Sequence, residues 1–235
     1  MTEGRNHFFQ RLDDKNPGRK AIQIVAFGDS VTQGVMELGR MNPEETYHRL
    51  LQKDLESFYP TSTINVINSG ISGDTAPQSL NRLERDVLNY HPDLLLIAFG
   101  LNDSTLGEEG LPEFDKAIRK VIGGVKALGN TTIIVLTPPF MATARTARIH
   151  QQHAEVADLI IRTQTSGTLA AYAKRLREIA AYEGVLLADI YAEWERLDED
   201  GVDLNSWLAN GLNHPDLRGH QLAAKAIWNT FMRPS

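Results

Sequence analysis

Cysteine is absent from this chain. Disulfides, thiolate zinc sites and a cysteine nucleophile are thereby excluded. A surplus of basic residues is absent too. Lys and Arg number 24 against 30 Asp and Glu, a formal net charge of -6. That balance argues against a broad nucleic-acid or acidic-membrane surface. No run approaches the ~20 apolar residues of a membrane span. Residues 1–10 lack the long apolar stretch of a secretory signal, so the default expectation is a cytoplasmic protein. Internal repeats and low-complexity tracts are also missing.

What remains is an ordinary globular composition, 42% hydrophobic and 23% charged over 235 residues, enough for one sizeable core. Residues 1–20 are polar, with Asn16-Pro17-Gly18 as a turn signal, and read as a surface lead-in. Residues 21–235 read as a single domain. Short β-branched runs predict strands at 22–27, 64–67, 94–99, 132–136 and 185–190. Amphipathic segments predict helices at 44–58, 77–90, 112–128, 169–183 and 217–231. Asp74 or Thr75 is placed to cap the second of these and Asp216 the last. Residues 137–168 break the alternation and read as an insertion containing its own helix.

Strands alternating with helices predict an α/β fold, a parallel sheet of about five strands covered on both faces. The expected strand order is the flavodoxin-like 2-1-3-4-5. Ligands bind such sheets beyond the carboxyl ends of the strands. Four polar stretches fall there: Gly28-Asp29-Ser30 after the first strand, residues 68–75 after the second, Gly100-Leu101-Asn102-Asp103 after the third, and His214-Pro215 after the last.

Their chemistry fits acyl transfer. A serine hydroxyl needs a base to take its proton, and histidine suits that task near neutral pH. Ser30 is the candidate nucleophile and His214 the candidate base. The tetrahedral intermediate needs donors for its oxyanion. The N–H groups of Ser30 and Gly73 and the carboxamide of Asn102 are the candidates. Asp29 reads as a structural residue that stiffens the turn. His150 and His153 have a spacing that could bind a metal on a helix, but no third ligand accompanies them, so a solvated or substrate-facing helix is the preferred reading. Neither a metal nor an organic cofactor is expected.

Phe27-Gly28-Asp29-Ser30, Gly73, Gly100-Leu101-Asn102-Asp103 and His214-Pro215 resemble, in order and spacing, the four blocks of the SGNH, or GDSL, hydrolase family. The resemblance runs from Ile22 to Trp228. It implies a three-layer α/β/α sandwich, an esterase or lipase-like activity and the same four roles for Ser30, Gly73, Asn102 and His214. One position departs from the family pattern. An aspartate usually stands three residues before the histidine; here that residue is Gly211, with Asn210 one place earlier. Asn210 could orient His214 through its carbonyl oxygen. Asp189, Asp203 and a backbone carbonyl are the other candidates.

The function expected is therefore a serine ester hydrolase acting on a small-molecule ester, with short acyl groups such as acetyl on a carbohydrate preferred. The competing readings are a lysophospholipase or thioesterase-type acylhydrolase, an acyltransferase using the same nucleophile, and a non-catalytic ligand-binding relative. The sequence leaves the oligomeric state open.

Overall fold

The computed structural model describes residues 8, 10–12, 21–37 and 39–232. Five parallel strands form the central sheet: β1 (Ile22–Gly28), β4 (Ile64–Gly70), β5 (Leu94–Ala98), β6 (Thr132–Leu136) and β7 (Leu186–Ala188), in the order β4-β1-β5-β6-β7. Counted within the sheet this is 2-1-3-4-5, the flavodoxin-like order assumed above. A two-stranded antiparallel hairpin, β2 (Val35–Glu37) with β3 (Arg40–Met41), projects beside it. It interrupts a stretch where no element was expected.

The period-2 alternation of β1 splits the core in two. Ile22 and Ile24 face a cluster that includes Tyr47, Leu51 and Leu55 of α2 (Tyr47–Phe58) and Ala223, Ala224 and Ile227 of α10 (Leu217–Met232). Val25 and Phe27 face the other cluster. Phe114, Ile118, Val121 and Val125 of α6 (Leu111–Lys126) fill it, with Tyr172, Leu176 and Ile179 of α8 (Thr168–Glu183). These are the helix layers of an α/β/α sandwich.

Three expectations need correction. Most of the lead-in lies outside the described residues, but Phe8 and Leu12 are buried core residues, and Arg11 pairs with Asp93 at 2.7 Å. That part of the stretch is packed against the domain. The single helix expected at 77–90 is broken into α3 (Ala76–Ser79), a tight turn at Leu80–Arg82, α4 (Leu83–Asp86) and a second turn at Leu88–Tyr90. Arg82 leaves helical geometry, with φ -119° and ψ 2°, and sends its guanidinium inward to backbone carbonyls. The strand expected at 185–190 stops at Ala188, because Asp189 caps a further helix, α9 (Ile190–Glu199), through the N–H of Ala192. The insertion does carry a helix of its own, α7 (Ala154–Thr165).

Short helix α1 (Ser30–Gln33) follows β1 directly. It is anchored by α2: Thr32 Oγ1 lies 2.9 Å from Tyr47 Oη, and His48 Nε2 lies 2.9 Å from the Thr32 carbonyl. His220 of α10 accepts the Tyr47 N–H on Nδ1 at 3.2 Å. Burial lowers the pKa of His48 to about 4 and of His220 to about 3. The unfolded chain therefore takes up protons below about pH 6.5 that the folded chain refuses, and stability falls as pH falls. Asp29 and Asp103, pushed up to about 7 and about 6 by burial, oppose this: protonated in the fold, they add stability as pH falls towards 4. A difference between variants isolates the histidine contribution. Urea unfolding at pH 7.5 and pH 5.0 should show that His220→Gln loses about 2 kcal/mol less than the parent over this interval. Equal losses would contradict the assignment.

Candidate active site

The site is built on strand ends. Gly28 closes β1 where a Cβ would collide with Thr32 Oγ1 and the Ala98 carbonyl, so only glycine lets α1 fold back onto the sheet here. Asp29 then caps α1 by accepting the Val31 N–H at 2.9 Å. It stiffens the turn, as its sequence position suggests. Ser30 follows as the first residue of α1, where the N–H has no partner within its own helix. Ser30 is 3% exposed.

His214 Nε2 lies 2.9 Å from Ser30 Oγ, across 184 residues of sequence. This is hydrogen-bond distance for proton transfer between a hydroxyl and a base. The loop that delivers His214 is fastened from both sides. Leu208 bridges to Pro215, and Ala209 N donates to the His214 carbonyl at 2.8 Å. The insertion lies over it: Ala142 N donates to the Leu212 carbonyl at 2.6 Å, and Arg148 Nη1 to the Ser206 carbonyl at 2.9 Å.

Asn210 does not orient His214 through its carbonyl oxygen. That oxygen accepts the N–H groups of Leu212, Asn213 and His214, all at 3.0 Å, and so builds the turn. Three converging donors fix which end of the amide is oxygen. The amide nitrogen faces His214 Nδ1 at 3.1 Å and reaches Asn213 Oδ1 at 3.0 Å. The acceptor beside Nδ1 is instead the main-chain carbonyl of Met36, at 3.2 Å, on the β2–β3 hairpin. A carbonyl oxygen only accepts, so it selects the tautomer with Nδ1–H, which leaves Nε2 free to take the Ser30 proton. The Asn210 amide favours the opposite tautomer. Burial is the main reason that the His214 pKa falls to about 4; the Met36 carbonyl pulls it back up only in part. The imidazole is neutral at rest.

The remaining candidate partners are occupied elsewhere. Asp189 bonds Thr137 Oγ1 at 3.0 Å and Arg177 Nε at 2.7 Å. Asp203 is an exposed residue at the start of a tight turn. Asp216 accepts the Arg218 N–H at 2.9 Å and pairs with its guanidinium, the capping role expected of it.

Gly73 has φ +78°, in the left-handed region that favours glycine, and open space where a Cβ would stand. Among the described residues no acceptor takes its N–H. Its loop is tied to the Ser30 turn by Ile71 N to the Gly28 carbonyl at 3.1 Å and by Ser72 N to Gln33 Oε1 at 2.8 Å. Asn102, in α5 (Leu101–Ser104), donates one amide hydrogen to the Asp74 carbonyl at 3.0 Å and keeps the second. Asp103 sews the same two loops together, accepting the N–H groups of Ala76 at 2.8 Å and Gly100 at 2.9 Å. Thr75 caps α3 in a reciprocal box with Gln78.

The structure thus joins Ser30 to His214 directly and links the Gly73 and Asn102 loops through Asp74. It adds the Met36 carbonyl, which no sequence signal marks, because any residue supplies a carbonyl. His150 and His153 line a cleft with Asn210, and they lie on a tight turn (Gln151–His153, capped by His150) in place of the expected helix. His150 Nδ1 accepts the Gln152 N–H at 3.2 Å, and the two rings are 6.4 Å apart. Among the described residues no group of three or more His, Cys, Asp or Glu could hold a metal ion. The same residues contain no helix long and apolar enough to cross a membrane. A cleft of about 510 Å³ at the His214 loop is lined by Glu37, Arg148, His150, His153, Ala209, Asn210 and Asp216.

Known proteins share this architecture. The GDSL-like Lipase/Acylhydrolase family matches residues 26–222. An acetylxylan esterase of Geobacillus stearothermophilus is 26% identical, over 87% of this chain and 91% of its own. An isoamyl acetate-hydrolyzing esterase 1 homolog of Bos taurus is also 26% identical, over 88% and 80%. An uncharacterized lipoprotein of Bacillus subtilis is 34% identical over 42% of this chain, a match that spans 39% of the lipoprotein. Among solved structures, a Geobacillus stearothermophilus acetylxylan esterase superposes with a TM-score of 0.68 at 22% identity, covering 91% of this chain and 95% of that one. At that identity the likeness speaks for the fold. Strand order, helix layers and the family match over most of the chain agree: this protein belongs to the GDSL-like lipase/acylhydrolase family and is a carboxylic ester hydrolase.

Proposed function

We propose that this protein hydrolyses short-chain carboxylic esters, acetylated carbohydrates foremost, through an acyl-enzyme on Ser30. The observation that carries the proposal is the 2.9 Å approach of Ser30 Oγ to His214 Nε2. Ser30 Oγ attacks the ester carbonyl carbon while His214 Nε2 takes its proton. The oxyanion is held by the N–H groups of Ser30 and Gly73 and the second amide hydrogen of Asn102. Collapse breaks the ester C–O bond, and His214 returns the proton to the leaving alcohol. Water then attacks the acyl carbon with its proton passing to Nε2, and Ser30 regains that proton as the acid leaves.

Two observations support a short acyl group on a hydroxyl-rich alcohol. The cleft at the His214 loop carries carboxylates, an arginine and two histidines around Ala209, groups that exchange hydrogen bonds with hydroxyls and offer little apolar lining for a long alkyl chain. The similar proteins of Geobacillus stearothermophilus and Bos taurus are named for acetylxylan and isoamyl acetate. The test is a series of p-nitrophenyl acetate, butyrate, octanoate and palmitate, followed by acetylated xylo-oligosaccharide. We expect kcat/KM to fall by at least tenfold from acetate to octanoate. A rise with chain length would replace this reading with a lysophospholipase or thioesterase-type one. Acyl transfer to a sugar acceptor in place of water would make the enzyme a transferase.

A further inference from the structure

We propose that Arg82 is the positioning residue of the oxyanion hole, an inference that rests on the serine-hydrolase reading above. Arg82 is 7% exposed and lies in the segment where the expected helix breaks. Its guanidinium spends its donors on loop ends. Nη2 donates to the Gly28 carbonyl at 3.0 Å and Nη1 to the Ser69 carbonyl at 2.8 Å. Nε donates to Asp74 Oδ2 at 2.7 Å, and Asp86 Oδ2 lies 3.3 Å from Nη1. The face of the group rests 4.5 Å over the Phe27 ring. One rigid plane therefore grips the ends of β1 and β4 and the residue after Gly73.

Each oxyanion donor is a short step from an atom that Arg82 holds. Ser30 lies two residues beyond Gly28. Gly73 is bonded to Asp74. Asn102 is aimed by its bond to the Asp74 carbonyl at 3.0 Å. Donors act on a developing charge only if their spacing is set beforehand. An arginine fork fixes several acceptors at set angles; a lysine ammonium retains the charge but not the geometry. Simple burial would favour an apolar residue at this inward position. The departure from helical backbone at Arg82 turns its guanidinium onto the three loops, with Asp86 of α4 as its one further hydrogen-bond partner among the described residues.

The test is a double-mutant cycle on p-nitrophenyl acetate with Arg82→Lys and Asn102→Ala, alongside Ser30→Ala. We expect Arg82→Lys to lower kcat by about 10- to 100-fold with KM changed less than about threefold. In the Asn102→Ala background the same change should cost at least about threefold less than in the parent, because one of the donors it positions is gone. A purely structural arginine would give equal costs in both backgrounds, or a loss proportional to the fraction unfolded by circular dichroism; either result, or wild-type kcat in Arg82→Lys, overturns the proposal. If Arg82→Lys does not fold, Asp74→Asn replaces it. That variant leaves the bonds to Gly28 and Ser69 in place, and the same non-additivity with Asn102→Ala is required. Should Ser30→Ala retain turnover, the serine-hydrolase reading fails; should Ser30→Ala be inactive while the cycle is additive, only the role of Arg82 fails.

Discussion

Ser30→Ala should lower kcat/KM on p-nitrophenyl acetate by about 10⁴- to 10⁶-fold, the range measured when a catalytic serine is removed from an acting unit. The variant loses one oxygen from a small buried residue that belongs to neither hydrophobic core cluster. Its fold should therefore survive, and thermal unfolding should move by only a few degrees. The oxyanion donors remain, so a small activity above the uncatalysed rate should persist through polarisation of the ester carbonyl. Loss of activity with an unchanged unfolding curve separates chemistry from stability. Retained hydrolysis would place the nucleophile elsewhere.

His214→Ala should cost about 10³- to 10⁵-fold, since a neutral serine hydroxyl without its base is a weak nucleophile. The titration of this residue makes a finer prediction. Only neutral imidazole accepts the Ser30 proton, so kcat/KM follows the deprotonated fraction of His214. Burial lowers its pKa to about 4, with no carboxylate beside it to restore the usual value. The acid limb of kcat/KM should accordingly fall near pH 4, well below the ordinary histidine range, leaving full activity at pH 5.5. Asn210→Asp tests the cause. One carboxylate oxygen can keep the three backbone N–H bonds of the turn while the other accepts Nδ1–H. The imidazolium gains a counter-charge and the productive tautomer loses its competitor, so the acid limb should move up by about 1 pH unit or more. A wild-type limb near 6.5, unmoved by Asn210→Asp, would contradict the account of His214.

The parts legible in the sequence are those carried by side-chain type. Alternation in β1 and helical periodicity in α6 and α8 specify both faces of the sheet; the strand order is an assumption taken from the flavodoxin-like arrangement, and the sheet has it. Ser30, Gly73, Asn102 and His214 stand out as candidates because residue types suited to acyl transfer stand at strand ends, and the fold brings Ser30 and His214 to 2.9 Å. Three features were hidden for physical reasons. The Met36 carbonyl belongs to the main chain, and its position depends on a hairpin of two very short strands. Asn210 is a turn-builder whose oxygen the backbone claims, which no count of residues from His214 discloses. Arg82 sits within an apolar-periodic stretch and reads as an ordinary helix residue; only the fold shows its side chain reaching back to Gly28 and Ser69. The cap at Asp189, followed by Ile190, Tyr191 and Trp194, was a signal for α9 that strand-like residues before it masked.

The central claim is that Ser30, activated by a neutral His214, forms the acyl-enzyme. Its most direct test is treatment of the protein with a fluorophosphonate, followed by intact-mass and peptide mass spectrometry. The account predicts one adduct per chain on the peptide containing Ser30, lost in Ser30→Ala and formed at least ~100-fold more slowly in His214→Ala. No adduct, or an adduct on another residue of the folded protein, would contradict it.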